Sequence, residues 1–156
     1  LAKARSFGAD FTFNYQVLPS LAIGGGYSYT DAKAQYTEDQ NDPNYMKYLP
    51  INATSYHNAN WKIAWTHKDV GVSLFGRYQS TRYYITDGNG KAYQLWRLNV
   101  RSSLLKTKKW NLGMNAGIDN IFNYIDRTPF GKNRGTTSPG RTLYLSLNVK
   151  FQNKQK

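Results

Sequence analysis

Ser55, His57 and Asn58 lie close enough in sequence to raise a hydrolytic site, and His57 and His67 are the only imidazoles in the chain. A nucleophile and its base must share a face. In an extended segment successive side chains point to opposite faces, so Asn58 points away from His57. No G-x-S-x-G, phosphate-cradling glycine loop or zinc-ligand spacing accompanies these residues. The absence of cysteine removes disulfides and thiolate metal ligation. Asp39, Asn41 and Asp42, and Asp87 with Asn89 in D-G-N-G, offer hard oxygens, but not at EF-hand spacing. Ordinary turn chemistry explains them. The expectation is no enzyme: no catalytic residue, no metal and no cofactor.

Two other groups carry more chemistry. Tyr45, Lys47, Tyr48, Arg82, Tyr83 and Tyr84 combine aromatic faces with cations in polar segments. Such a set suits a large planar or anionic ligand, although a solvated loop with interface tyrosines reads equally well. The second group is Lys62, Arg77, Arg97, Arg101 and Lys150. All five fall on the polar phase of alternating segments, where only Asp10 and Asp119 offer negative charge. Unbalanced charge on one face calls for partners from elsewhere. The net charge of +12 raises nucleic-acid binding as a general option. That function needs aromatics and cations on one exposed face. Here they sort mostly to opposite faces, so no nucleic-acid partner is expected.

The elements that position these residues are strands. Leu143 to Phe151 reads L-Y-L-S-L-N-V-K-F, nine residues of unbroken alternation. That is about the length a tilted strand needs to cross a bilayer. Seven such strands are predicted over about 5–17, 21–30, 56–66, 70–82, 93–105, 110–122 and 143–151. Their connections alternate short, long, short, medium, short, long. Transmembrane barrels sort short periplasmic turns from longer extracellular loops in this way. The long segments are predicted as extracellular loops at about 31–55, 83–92 and 123–140, followed by a tail at 152–156. Mean hydropathy is -0.68, and no stretch is apolar enough for a transmembrane helix. A barrel evades that test because every second residue faces a polar lumen. The 13 Tyr and 4 Trp suit aromatic belts at the two membrane surfaces: Trp65 and Trp110 fall beside short turns, Tyr29 and Trp96 near the long ones. The fold class expected is therefore an all-β antiparallel transmembrane barrel. Seven antiparallel strands cannot close, and L-A-K-A-R-S-F at the start has no signal-peptide h-region. The expectation is one end of a larger barrel.

Four motifs carry a resemblance. They are G-Y-S-Y-T-D-A-K at Gly26–Lys33, the stretch from Leu49 through H-N-A-N at His57–Asn60, G-I-D-N-I-F-N-Y at Gly117–Tyr124, and P-G-R-T-L-Y-L-S-L-N-V-K-F at Pro139–Phe151. Together they resemble the C-terminal part of a TonB-dependent outer-membrane receptor, across nearly the whole chain. The resemblance implies a 22-stranded barrel around a plug, of which these are roughly the last seven strands. It also implies TonB acting through that plug and Phe151 as the terminal aromatic read by the assembly machinery. Gln152 to Lys156 depart from the pattern, in which that aromatic usually ends the chain. The implied role is capture and import of a scarce large nutrient of the haem, cobalamin or ferric siderophore class, with the C-terminus in the periplasm. The five polar-phase cations would face the lumen and the plug. Lipid, lipopolysaccharide (through Arg127, Arg134 and Arg141) and a surface lipoprotein co-receptor complete the expected partners. The alternative is a small complete barrel, a passive porin or adhesion protein.

Overall fold

The computed structural model describes residues 3–84, 89–125 and 139–151. In chain order the strands are β1 (Lys3–Leu18), β2 (Leu21–Gln35), β3 (Leu49–Pro50), β4 (His57–His67), β5 (Val70–Gln79), β6 (Tyr93–Lys106), β7 (Trp110–Asp119) and β8 (Thr142–Phe151). Every pairing is antiparallel, in the order β1-β2-β4-β5-β6-β7-β8, with the two-residue β3 attached to β2. Among the described residues β1 and β8 each pair on one side only, so the sheet is open.

The register fixes the two faces. Tyr15, Ile23, Ile63, Leu74, Leu98, Ile118 and Leu143 line up across all seven long strands. One residue along each strand, on the other face, run Asn14, Gly24, Lys62, Phe75, Arg97, Asp119 and Thr142. Register is strongly specified when one face must be apolar, because a one-residue slip would invert every strand. We call the apolar side the outer face and the polar side the inner face.

Among the described residues no second layer covers the outer face. Ala32 and Ala34 are the only buried apolar side chains among the described residues, while Phe11 is 64% exposed and Leu143 72%. The chain exposes 11436 Å², against about 8000 Å² for a compact soluble protein of 17.9 kDa. An apolar face of this extent needs a partner or a nonaqueous solvent.

Short connections sit at one end of the sheet. Pro19-Ser20 joins β1 to β2, and Lys68, with φ of 50°, opens the turn from β4 to β5. Between β6 and β7, the Thr107 backbone N–H donates to the Trp110 carbonyl at 2.8 Å, and the Trp110 N–H donates to Thr107 Oγ1 at 2.9 Å. A bulge between Ser103 and Leu105 sets two leucines against Leu112 and returns Lys106 to the inner row with Asn111 and Lys150.

Strand ends depart from the sequence expectation at the long-loop end. β2 runs on to Gln35, because the following segment returns as β3 and gives it a partner at Lys33 and Ala34. Alternation alone could not show a two-residue strand containing proline. β5 stops at Gln79 and β7 at Asp119, three residues early in each case. Asn120 takes φ of 52°, which no strand residue adopts.

Candidate functional site

The inner face gathers the five expected cations on one surface. In its upper part a concavity of about 790 Å³ is lined by Asn14, Lys62, Phe75, Arg77, Arg97 and Asp119. The Lys62 ammonium lies 5.4 Å from the centre of the Phe75 ring. Arg97 Nε meets Asp119 Oδ1 at 2.5 Å, with side chains 57% and 36% exposed. Water screens a pair this open, and its worth is at most about 1 kcal/mol. Arg77 Nη2 donates to the Tyr93 hydroxyl at 3.0 Å, and that hydroxyl donates to Gln79 Oε1. Gln79 continues to Ser55 Oγ at 3.2 Å, and Ser55 donates to Asn58 at 3.0 Å.

Toward the short turns a second concavity of about 740 Å³ holds Arg101, Lys106 and Lys150 among Asn99, Asn111, Asn115 and Asn148. Arg101 lies across Gly71, where a Cβ would come within 2.6 Å of its Nε. Asn99 Nδ2 donates to Asn115 Oδ1 and to the Tyr144 hydroxyl, both at 2.7 Å. Carboxylates are few: Asp10 accepts from the Ser28 hydroxyl, Asp119 meets Arg97, and Asp69 pairs with Lys106. The inner face is cationic and amide-rich, suited to acidic or hydrogen-bonding groups.

Phe75 was missed as an inner-face residue. It sits between Leu74 and Gly76 in an apolar run that hides the parity, and pairing with Lys62 and Arg97 reveals it. The role of G-I-D-N-I-F-N-Y was also missed. Asn120 exchanges side-chain bonds with the Tyr124 backbone at 2.6 and 2.8 Å. Asn123 Oδ1 accepts from the Arg141 backbone at 2.9 Å, and Arg141 Nε donates to the Ile121 carbonyl at 2.9 Å. These asparagines, with φ of 52° and 55°, end β7 and staple the start of β8 to it. Asn-rich composition beside a strand end was the signal.

The six loop residues have different surroundings. Tyr45 is half-buried and Lys47 exposed. Tyr48 lies beneath the Arg5 guanidinium at 4.5 Å, alongside β2 where outward-phase residues project. Arg82 is buried, its guanidinium 5.2 Å from the Tyr93 ring, and its backbone pairs with Gly90. Tyr83 bonds through its backbone to Ala53 and Thr54, and with Tyr84 it is half-buried. The hydrolytic grouping is separated: Ser55 bonds inner-face Asn58, whereas His57 Nδ1 lies 2.7 Å from the outer-face Tyr27 hydroxyl. Asp87, Arg127, Arg134 and Gln152–Lys156 lie outside the described residues. No group of three His, Cys, Asp or Glu could hold a metal ion among the described residues. Phe151 pairs with Trp110 in register, their rings 4.7 Å apart.

No protein-family model matches the chain, and no curated protein sequence does. Solved structures do. The ferric citrate transporter FecA in its unliganded form superposes with a TM-score of 0.70 at 19% identity, over 94% of this chain and 24% of that one. The copper transporter OprC gives 0.64 at 18% identity, over 95% and 24%. The chain therefore spans about a quarter of each transporter's length. The fold shared is an open section of barrel wall, all-β and antiparallel.

Proposed function

We propose that the chain forms a C-terminal section of the barrel wall of a TonB-dependent outer-membrane transporter, and that its role is transport rather than catalysis. One observation carries this reading. Registered rows of apolar and polar residues alternate across seven strands of a sheet whose fold is that of a transporter wall. The outer face would meet lipid, the short turns and C-terminus the periplasm, and the long connections the exterior. Barrel strands permit no open edge in a membrane, so β1 and β8 would pair with further strands.

In this reading Lys62, Arg77, Arg97, Arg101 and Lys150 meet carboxylates of a plug held in the lumen. TonB acts on that plug, and Phe151 serves barrel assembly. Lys47, which is exposed, and the half-buried Tyr45, Tyr83 and Tyr84 are the loop residues offered to a ligand, whereas the buried Arg82 holds the loop. The class of cargo follows only from aromatic and cationic loop chemistry: a large planar or anionic nutrient such as a haem, a corrinoid or a ferric chelate.

Co-purification from native outer membranes without boiling tests this. Migration with further strands and a plug is the expected result. A lone heat-modifiable species near 17.9 kDa that conducts ions in planar bilayers would instead establish a small passive pore. Exchanging Lys62 and Arg101 for Glu should loosen the plug; a plug held as tightly as before would remove the lumen pairing.

A further inference from the structure

On β1 and β2 the outward phase does not end at its aromatic belt. The rings of Phe7, Tyr29, Tyr56 and His57 form a contiguous group, with Tyr29 at 6.5, 6.3 and 5.4 Å from the other three. Aromatics of this kind mark the boundary between hydrocarbon and headgroups. On the same phase Asp31 stands opposite Phe7, and beyond the ring group come the registered pairs Arg5–Lys33 and Lys3–Gln35. Arg5 and Lys33 lie four residues past Ala9 and Tyr29, roughly 13 Å along the strand and 10 Å along the membrane normal at barrel tilt.

Two like charges directly opposite in an antiparallel pair repel. Among the described residues the one carboxylate on this patch is Asp31, whose Oδ2 lies 3.0 Å from Lys33 Nζ. With Lys3, three cations face one carboxylate, a surplus of two. The Arg5 guanidinium is stacked on Tyr48 at 4.5 Å. A stacked guanidinium keeps its edge donors for bidentate bonds to phosphate. Below the patch the outer face continues into Phe11 and Phe13, both exposed, so an anion reaching it from this side brings an apolar body with it.

Resting on the barrel-wall reading, we infer that Arg5 and Lys33, with Tyr48 beneath the guanidinium, bind a phosphate group of an outer-leaflet membrane lipid. The apolar rows would hold its acyl chains and the aromatic ring group its glycerol or sugar.

The test uses protein purified from its native membranes and placed in nanodiscs containing diphosphorylated lipid A or its dephosphorylated counterpart. Retained lipid is counted by native mass spectrometry. The wild-type protein should retain the diphosphorylated form selectively. Two basic groups facing an anionic surface are together worth roughly thirtyfold, so Arg5→Ala/Lys33→Ala should lose about that much. Arg5→Lys/Lys33→Arg should keep most of it. Equal loss with Lys106→Ala, at the opposite end, would overturn the site. Displacement by millimolar inorganic phosphate would overturn the lipid as its source. Heat-modifiable barrels with unchanged lipid retention in the double Ala variant defeat this site alone. A wild-type protein that forms no heat-modifiable membrane species defeats the barrel reading with it.

Discussion

Gly117→Ala should unfold the β6-β7-β8 section more readily than any other single-methyl addition on the inner face. A Cβ at Gly117 would stand 2.3 Å from the Tyr144 hydroxyl oxygen and 2.6 Å from the Leu98 carbonyl oxygen. The tyrosine can rotate away, but the carbonyl belongs to the neighbouring strand and moves only if the β6-β7 ladder opens. Overpacking of this kind costs about 1 to 3 kcal/mol. Rotating Tyr144 also breaks its bond from Asn99, 2.7 Å long, for about 0.5 to 1.5 kcal/mol more. The sum, about 2 to 4 kcal/mol, lowers the folding equilibrium at least roughly thirtyfold. Urea unfolding in lipid vesicles, followed by tryptophan emission, reads it directly. Tyr144→Phe removes only the hydroxyl and should cost about 1 kcal/mol. Adding Tyr144→Ala to Gly117→Ala should relieve the tyrosine clash and leave the carbonyl one. A Gly117→Ala protein within about 0.5 kcal/mol of wild type would refute the close approach of these strands.

Other expectations follow from the two faces and the loop staple. Leu145→Arg should cost about 2 to 4 kcal/mol of barrel stability, and Asn115→Arg, one strand away on the inner face, much less; equal costs would mean the faces are misassigned. Asn120→Ala forfeits two hydrogen bonds and a favourable left-handed residue, so proteolysis between β7 and β8 should accelerate several-fold. Asp119→Asn should change stability by under about 1 kcal/mol, because its pair with Arg97 is solvent-screened. Tyr83→Ala/Tyr84→Ala should weaken ligand capture without altering barrel formation, as measured by uptake and heat-modifiability side by side.

The wall was legible because a membrane barrel writes its architecture in parity. Leu143 to Phe151 could be assigned face by face from nine letters, and the registered rows agree with that assignment. What stayed hidden depends on pairing rather than parity. β3 is two residues long and exists only because β2 continues beside it. Phe75 reads as one more apolar residue until Lys62 and Arg97 flank it. The six loop residues looked alike as tyrosines and cations, but tertiary contacts divide them: Arg82 packs inward on Tyr93, and Tyr48 packs under Arg5. Composition identifies a loop's chemistry without saying which side chains the loop uses to hold itself together.

The absence of cysteine opens the most direct measurement. Single cysteines placed at each position from Leu143 to Val149 can be spin-labelled with the protein in its native membrane. Labels at Leu143, Leu145, Leu147 and Val149 should be accessible to oxygen dissolved in lipid. Those at Tyr144, Ser146 and Asn148 should respond to a water-soluble nickel complex, or to neither reagent where a plug covers them. Accessibility with a period of two is the expected result. Uniform exposure to the aqueous reagent, or a pattern without alternation, would contradict a barrel wall with lipid on one face and a lumen on the other.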